Sequence, residues 1–388
     1  MKKLNLLSYS FLFIIFFVLI FVIVKQGLIT LKIITFNKGD NWQVVEATSN
    51  KIYDKIMSLE VGIENRINNY FPLYNDINDL YYSLIMNTDS IYLNNIYLKN
   101  NRDDEKIFYN KDNQFYFIVN NLSENELDKR LRNQINYYNF IANKYDLNIA
   151  IYMPLRYELN NILNIKNLNN KVNYFIDNLD NKICVGKLES NNNKEYLDYF
   201  YKSDHHYNAK GALKAYEDII KLYNKEDNYT YSTKVIFDEY YGSAAKSLLT
   251  DNIKDELSAI DYKNYLVVNI NDKLFKPLEI TKKDNKYYDY YVSYFNGQYD
   301  EVIYHNNINS EENLLIISDS LSWQIDYLLA NNFKNTYVVN LRYGKFKKED
   351  LDLEKYINDN NITHLLYLQE AEEEMFDIYN FKINERVR

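Results

Sequence analysis

The chain has 388 residues, 47% hydrophobic and 26% charged, a composition that supports packed cores and excludes a disordered chain. A formal net charge of −9, spread without a basic block, leaves no electrostatic footprint for nucleic acid. Cys184 is the only cysteine, so neither an internal disulfide nor a cysteine-based metal site can form.

At the amino terminus, Lys2 and Lys3 precede Leu4–Val24, an uncharged run in which only Asn5, Ser8 and Ser10 are clearly polar. About twenty such residues suffice for an α-helix to cross roughly 30 Å of hydrocarbon. The run ends without the small-residue pattern of a cleaved signal peptide, so an uncleaved transmembrane anchor is expected. The positive start favours an amino terminus on the inside and the bulk of the chain outside the cytoplasm. The expected organisation is a cytoplasmic start and anchor over 1–25, a helical approach segment over 26–104, and an α/β domain over 105–388.

Ser123-Glu124-Asn125-Glu126 has the form of a capping box, in which hydroxyl and carboxylate satisfy open N–H groups at a helix start. Beyond it Leu127, Leu131, Ile135, Tyr138, Ile141 and Tyr145 recur at helical spacing and give one apolar face. Leu147–Met153 is a short apolar run stopped by Pro154 and reads as a buried strand. After Asn208, a helix carries Ala212, Ala215, Ile219, Ile220 and Tyr223 on its inner face. Residues 225–312 read as an insertion of strands and loops. In the last third, strands at 314–317, 336–340 and 363–368 alternate with helices at 320–331 and 349–359. Short continuous apolar strands separated by helices imply a mostly parallel sheet covered on both faces. Such a sheet places its ligand site beyond the carboxyl ends of its strands.

Two segments carry residues suited to chemistry. Ser318-Asp319-Ser320 follows the strand 314–317, where a hydroxyl stands exposed over a helix amino terminus whose N–H groups can support an oxyanion. The plain alternative is that Ser318 or Asp319 only caps that helix. Asp204-His205-His206 brings two of the chain's four histidines beside a carboxylate. A serine hydroxyl becomes a useful nucleophile when a neutral imidazole takes its proton and a carboxylate orients the imidazole. A structural histidine pair and a metal site are the alternatives, the latter lacking further ligands at suitable spacing.

Taken together, Asp204-His205-His206-Tyr207-Asn208, Gly211-Ala212 and the distant Leu315–Ser320 resemble the DHHW proteins, which are similar to the SGNH-hydrolase-like domains of alginate-type polysaccharide O-acetyltransferases. The resemblance extends to Glu64-Asn65-Arg66, Tyr70-Phe71-Pro72, Gly242-Ser243 and Leu341-Arg342-Tyr343. It implies a flavodoxin-like α/β sheet and a catalytic set of Ser320, His206 and Asp204. His206 is chosen over His205 because the family's working histidine stands two after the aspartate, and neighbours in an extended stretch point opposite ways. Around that set, Arg342, Ser318, Asp319, His205 and Tyr207 are the candidates for substrate binding or oxyanion support. Arg342 would line the pocket, and His205 would pack against or cap the loop.

Three departures stand out. Tyr207 replaces the family's tryptophan, Ser318 replaces the glycine of its Gly-Asp-Ser turn, and its separate glycine and asparagine oxyanion donors have no counterpart. The implied activity is O-acyl transfer to an extracellular polysaccharide. Its expected partner is a multi-spanning membrane acyltransferase, with no cofactor, metal or nucleic acid. A carbohydrate esterase and a non-catalytic polysaccharide-binding protein are the competing functions.

Overall fold

A computed structural model of the chain describes residues 96–377 apart from short interruptions, the widest at 163–167 and 262–267, together with Ile383. The apolar run Leu4–Val24, most of the approach segment and the matches around Glu64 and Phe71 lie outside the described residues. Among the described residues no helix is long and apolar enough to cross a membrane. The described residues belong to one compact unit, Tyr81–Arg388.

Strands β1 (Ile96–Asn100), β2 (Glu105–Asn110) and β3 (Phe115–Asn120) form an antiparallel meander. Helix α1 (Glu124–Lys144) follows, its first turn capped by Ser123, whose Oγ accepts from the Glu126 amide at 3.3 Å. Only this half of the capping box forms as read, because the Glu126 carboxylate pairs with Arg130 Nε at 2.9 Å. Leu127, Leu131, Ile135, Tyr138 and Ile141 are buried as the spacing requires, while Tyr145 is the carboxyl-terminal cap. Strand β4 (Asn148–Pro154), helix α2 (Leu168–Asp177), strand β5 (Ile183–Leu188) and helices α3 (Asn193–Tyr199) and α4 (Ala209–Leu222) come next. Asn208 caps α4, its Oδ1 accepting from the Lys210 and Gly211 amides at 2.9 and 3.1 Å.

Strand β6 (Ser232–Tyr240), helix α5 (Ser243–Leu248) and strand β7 (Asp255–Asp261) form a separate β6–β7 ribbon with α5 between them. Strands β8 (Val268–Ile270), β9 (Lys273–Phe275) and β10 (Glu301–His305) lead to the main repeat. That repeat is β11 (Asn313–Ser318), α6 (Asp326–Ala330), β12 (Asn335–Asn340), α7 (Leu353–Asp359), β13 (His364–Leu368) and α8 (Ala371–Phe376).

The principal sheet runs in the order β5-β4-β13-β11-β12-β10-β8-β9. Its first five strands are parallel and the last three join antiparallel. This is the mostly parallel, helix-flanked sheet expected from the sequence. The stretch read as an insertion is therefore split, since β10, β8 and β9 complete the main sheet while β6 and β7 stand apart. Short strands in a segment poor in apolar runs gave no sign of this pairing.

Alternation along β11 divides the core. Leu314 and Ile316 face one cluster with Ala212, Ala215, Tyr216 and Ile219 of α4, and Leu315 and Ile317 face the other with Leu127, Tyr138 and Ile141 of α1. Two further expectations need correction. The span 320–331 is not one helix but a 3-10 turn, Ser320–Gln324, followed by the short α6. The helix expected at 349–359 starts at Leu353, because Asp352 caps it and Leu351 is drawn into a bridge with Ile383.

Candidate active site

Register brings the carboxyl ends of the central strands to one level, with Ser318 opposite Asn340 on one side and Leu368 on the other, and Leu368 opposite Tyr152. The residues just beyond these ends are Ser320 after β11, Arg342 after β12, Glu370 after β13 and Arg156 after β4. The Asp204–His206 loop is added from the segment between α3 and α4.

That loop is a closed turn. Phe200 bridges Tyr207, the Tyr201 amide donates to His206 O at 3.2 Å, and the His206 amide donates to Asp204 Oδ1 at 3.3 Å. Asp255 of β7 accepts from the Lys202 and Ser203 amides, each at 2.8 Å, and from Ser203 Oγ at 2.6 Å. The buried Tyr207 phenol donates to Leu321 O and ties the loop to the serine segment. Local turn chemistry thus shapes the loop, and Tyr207 sets its distance from the sheet.

His206 Nε2 lies 2.8 Å from Ser320 Oγ, and His206 Nδ1 lies 2.8 Å from Asp204 Oδ1. Tyr291 stacks on the His206 ring at a centroid distance of 3.6 Å and 15° between planes, and His205 packs against it at 3.9 Å. Asp204 also accepts from the Tyr240 phenol, from Ser243 Oγ at 3.0 Å and from the Ser243 amide at 3.2 Å. Burial by itself would raise the Asp204 carboxyl, but His206 and His205 outweigh it and hold that carboxyl well below its ordinary range. Burial and the charge of Asp204 keep the Tyr240 phenol protonated, and so a donor. A hydroxyl beside an imidazole that is itself oriented by an ionised carboxylate has the relation that makes serine nucleophilic.

Gly242 is required by this packing. A Cβ there would run into the Cβ, Cγ and Oδ2 of Asp204, so only glycine lets the α5 start approach the loop. Its amide donates to Ser203 Oγ at 2.9 Å.

His205 has a different set of partners from His206. Its Nδ1 lies 2.7 Å from Ser243 Oγ and 3.1 Å from Asp204 Oδ1, and its Nε2 lies 3.1 Å from Glu370 Oε1. Burial disfavours charge on His205, but Glu370 and Asp204 prevail and push it up to about 10. Behind Glu370, the buried Arg156 reaches Glu370 at 3.4 Å, Glu158 at 2.9 Å, and Glu372. Burial would raise the Glu370 carboxyl, yet Arg156 and His205 drive it far below its ordinary value. Glu158, wholly enclosed and facing Glu372 and Glu370 as well as Arg156, is pushed up to about 8.

The remaining candidates take mainly structural places. Asp319 caps the 3-10 turn, Oδ1 accepting from the Leu321 amide at 2.7 Å, and its Oδ2 accepts from the Glu370 amide at 2.8 Å. Burial raises its carboxyl and Arg342 partly offsets that. The Leu321 N–H is therefore committed to Asp319, and a five-residue turn replaces the helix terminus expected to face an oxyanion. Ser318 is fully buried, accepting from Ser322 Oγ at 3.0 Å. Arg342 is half-buried, with Nε 3.4 Å from Asn340 Oδ1 and the guanidinium over the Tyr343 ring, and its charge acts on Asp319.

Asp204, His205 and His206 offer ligand atoms within 4.8 Å of one another, the geometry of a partial metal site. The fit is poor, because His206 Nε2 engages Ser320, its Nδ1 engages Asp204, and both His205 nitrogens already have partners. His305 and His364 bond instead to Asn335 and to Asn148 and Thr363 at the opposite ends of strands.

Tyr240, Tyr291, Glu370 and Arg156 do not stand out in the sequence. Glu370 and Arg156 follow parallel strands as Ser320 does, so the rule that singles out Ser320 would have found them. Tyr240 and Tyr291 sit in the segment of weakest periodicity and gave no comparable signal.

No family model and no curated protein matches the chain. Among solved structures, PatB1 of Bacillus cereus with a sulfonyl adduct aligns at TM-score 0.55 and 19% identity, over 74% of this chain and 99% of that one. A DHHW family protein from Eubacterium siraeum aligns at TM-score 0.52 and 14% identity, over 74% of this chain and 97% of that one. The O-acetyltransferase domain of Pseudomonas putida AlgJ is a looser match, TM-score 0.40 and 11% identity over 74% and 95%, and bears no weight. At these identities the likeness is one of fold, and its neighbours include a DHHW family protein, as the sequence resemblance implies.

Proposed function

We propose that the chain is an O-acyltransferase that moves an acyl group, an acetyl in the first instance, onto a hydroxyl of a cell-surface or secreted polysaccharide. The observation that carries this is the pair of 2.8 Å contacts linking Ser320 Oγ, His206 and Asp204. The fold shared with PatB1, one structure of which holds a sulfonyl adduct, supports the choice of a covalent mechanism.

In the first half-reaction Ser320 Oγ attacks the acyl carbonyl carbon of an ester donor while His206 Nε2 takes the hydroxyl proton. The tetrahedral species collapses, the donor alcohol leaves with the proton from His206, and an acyl-serine remains. In the second, a sugar hydroxyl gives its proton to His206 and attacks the acyl carbon, and Ser320 Oγ leaves and recovers the proton. Asp204 fixes the Nδ1–H tautomer and stabilises the imidazolium formed in each half. With water in place of the sugar the same residues make an esterase.

The reading includes an anchor at Leu4–Val24 that holds the domain outside the cytoplasm, where a multi-spanning membrane acyltransferase would deliver the acyl group. Incubation with 4-nitrophenyl acetate and a soluble oligosaccharide tests the acceptor. Acetylated sugar supports transfer, whereas acetate alone at every sugar concentration supports the esterase.

A further inference from the structure

We propose that His205 is a positioning residue held as an imidazolium, a fixed cation that braces Asp204 against Glu370 and sets the working pH of the Asp204–His206–Ser320 set. The inference rests on the acyl-transfer reading for its kinetic arm only.

Superficially the neighbourhood holds a second serine–histidine–carboxylate arrangement, with Ser243 Oγ 2.7 Å from His205 Nδ1 and Glu370 Oε1 3.1 Å from Nε2. Counting protons shows that it cannot work as one. Ser243 Oγ lies 3.0 Å from Asp204 Oδ1, an ionised oxygen that can only accept, so the Ser243 hydroxyl donates there. Its oxygen is then the acceptor for His205, and Nδ1 must carry a proton. Arg156, 3.4 Å from Glu370, keeps that carboxylate ionised, so its approach to Nε2 is attractive only if Nε2 is protonated too. With both nitrogens protonated, His205 cannot accept the Ser243 proton. It is a brace, not a base.

The charges around His205 agree with this assignment. Asp204 and His206 come from its own loop, Ser243 and the Tyr240 phenol from the β6–α5 junction, and Glu370 from the end of β13. Glu370 is backed by Arg156 with Glu158 and Glu372, and its amide is held by Asp319. Burial opposes the charge and the two carboxylates outweigh it. The ring is one-fifth exposed and 3.9 Å from the His206 ring. A cation there repels positive charge on the His206 ring, an interaction that H205Q removes.

The test uses the full chain in detergent with 15N-labelled histidine, where only four residues give ring signals. H305Q and H364Q assign two of them, and H205Q separates the remaining pair. In the wild type, His205 should show both ring nitrogens protonated from pH 6 to 9. In E370Q it should lose a proton at least about one pH unit lower, since a pK change of one unit corresponds to about 1.4 kcal/mol of lost pairing. In H205Q, the acid limb of 4-nitrophenyl acetate hydrolysis should move to higher pH.

A neutral His205 at pH 8, or an E370Q titration identical to the wild type, overturns the brace. So does an H205Q profile that falls in height without moving along the pH axis, which is the mark of a merely structural role. If no ester is hydrolysed by any form, the acyl-transfer reading fails and the ring signals still decide the brace. If H205Q does not fold, H206Q separates the remaining pair of signals instead, and the wild-type and E370Q spectra decide the brace.

Discussion

Ser320 Oγ and His206 Nε2 lie 2.8 Å apart although 114 positions separate them in the chain. Two unrelated pieces of local structure produce that contact. One is the carboxyl end of β11, fixed by parallel pairing with β12 and β13. The other is a turn pinned by Asp255 at its back and by the Tyr207 phenol at its front.

Gly242→Ala should separate function from stability. The new methyl group would press on the Asp204 side chain and displace it from His206. A shift of about 1 Å at a reacting centre costs about a hundredfold in rate. Ester hydrolysis should fall by about that factor while a fluorescence melt moves only a few degrees. Full activity in this variant would mean that Asp204 tolerates movement.

The stability profile in alkali should carry the signature of His205. Its folded value is raised from 6.5 to about 10, so the stability it contributes is complete below about 6.5 and is lost as pH rises through about 10. Asp204 and Glu370 are lowered in the fold, so their contributions are present at neutral pH and lost as pH falls into the acid range. Urea unfolding from pH 7 to 10.5 should show a decline that H205Q lacks. Parallel curves for the two proteins would contradict the assignment.

Ile317→Ala tests the sheet as the platform of the site. Ile317 is fully buried between β12 and β13, facing the α1 side of the core. Loss of such a side chain costs about 2–5 kcal/mol, depending on how far the site collapses. The midpoint of denaturant unfolding should fall without a change in slope. A cost under about 1 kcal/mol would show that this side of the sheet is loosely packed.

Much of this architecture was readable in the sequence, for identifiable reasons. Leu314–Ile317 and Leu365–Leu368 are continuous apolar runs, and a strand buried on both faces has to be one. The adjacency of Asp204 and His206 was visible because a short turn supplies both. The short helices after β11 and before β13 were overread, because apolar spacing marks a face but does not say that Asp319 will tighten the first turn or that Asp352 will start the second. β10, β8 and β9 were not legible because strands of three to five residues carry too few alternations to register. Arg156 and Glu370 were passed over because a charged residue after a strand looks like ordinary surface until the strands are aligned.

The anchor reading has its own test. Fractionation of cells should place the full-length chain in the membrane, and protease added to intact cells or protoplasts should digest the portion beyond residue 30. A soluble product beginning near residue 26 would contradict an uncleaved anchor.

Most directly, the acyl-serine itself can be trapped. The full chain is mixed with an activated acetyl ester, quenched in acid within seconds, and its peptides are analysed by mass spectrometry. One acetyl group is expected on the peptide that contains Ser320, and none in Ser320→Ala, whose turnover should fall by at least about a thousandfold because such residues act as a unit. His206→Asn should label at a rate reduced by a similar factor. Acetyl on Ser243 with Ser320 unmodified, or equal labelling of the wild type and Ser320→Ala, would show that Ser320 is not the nucleophile.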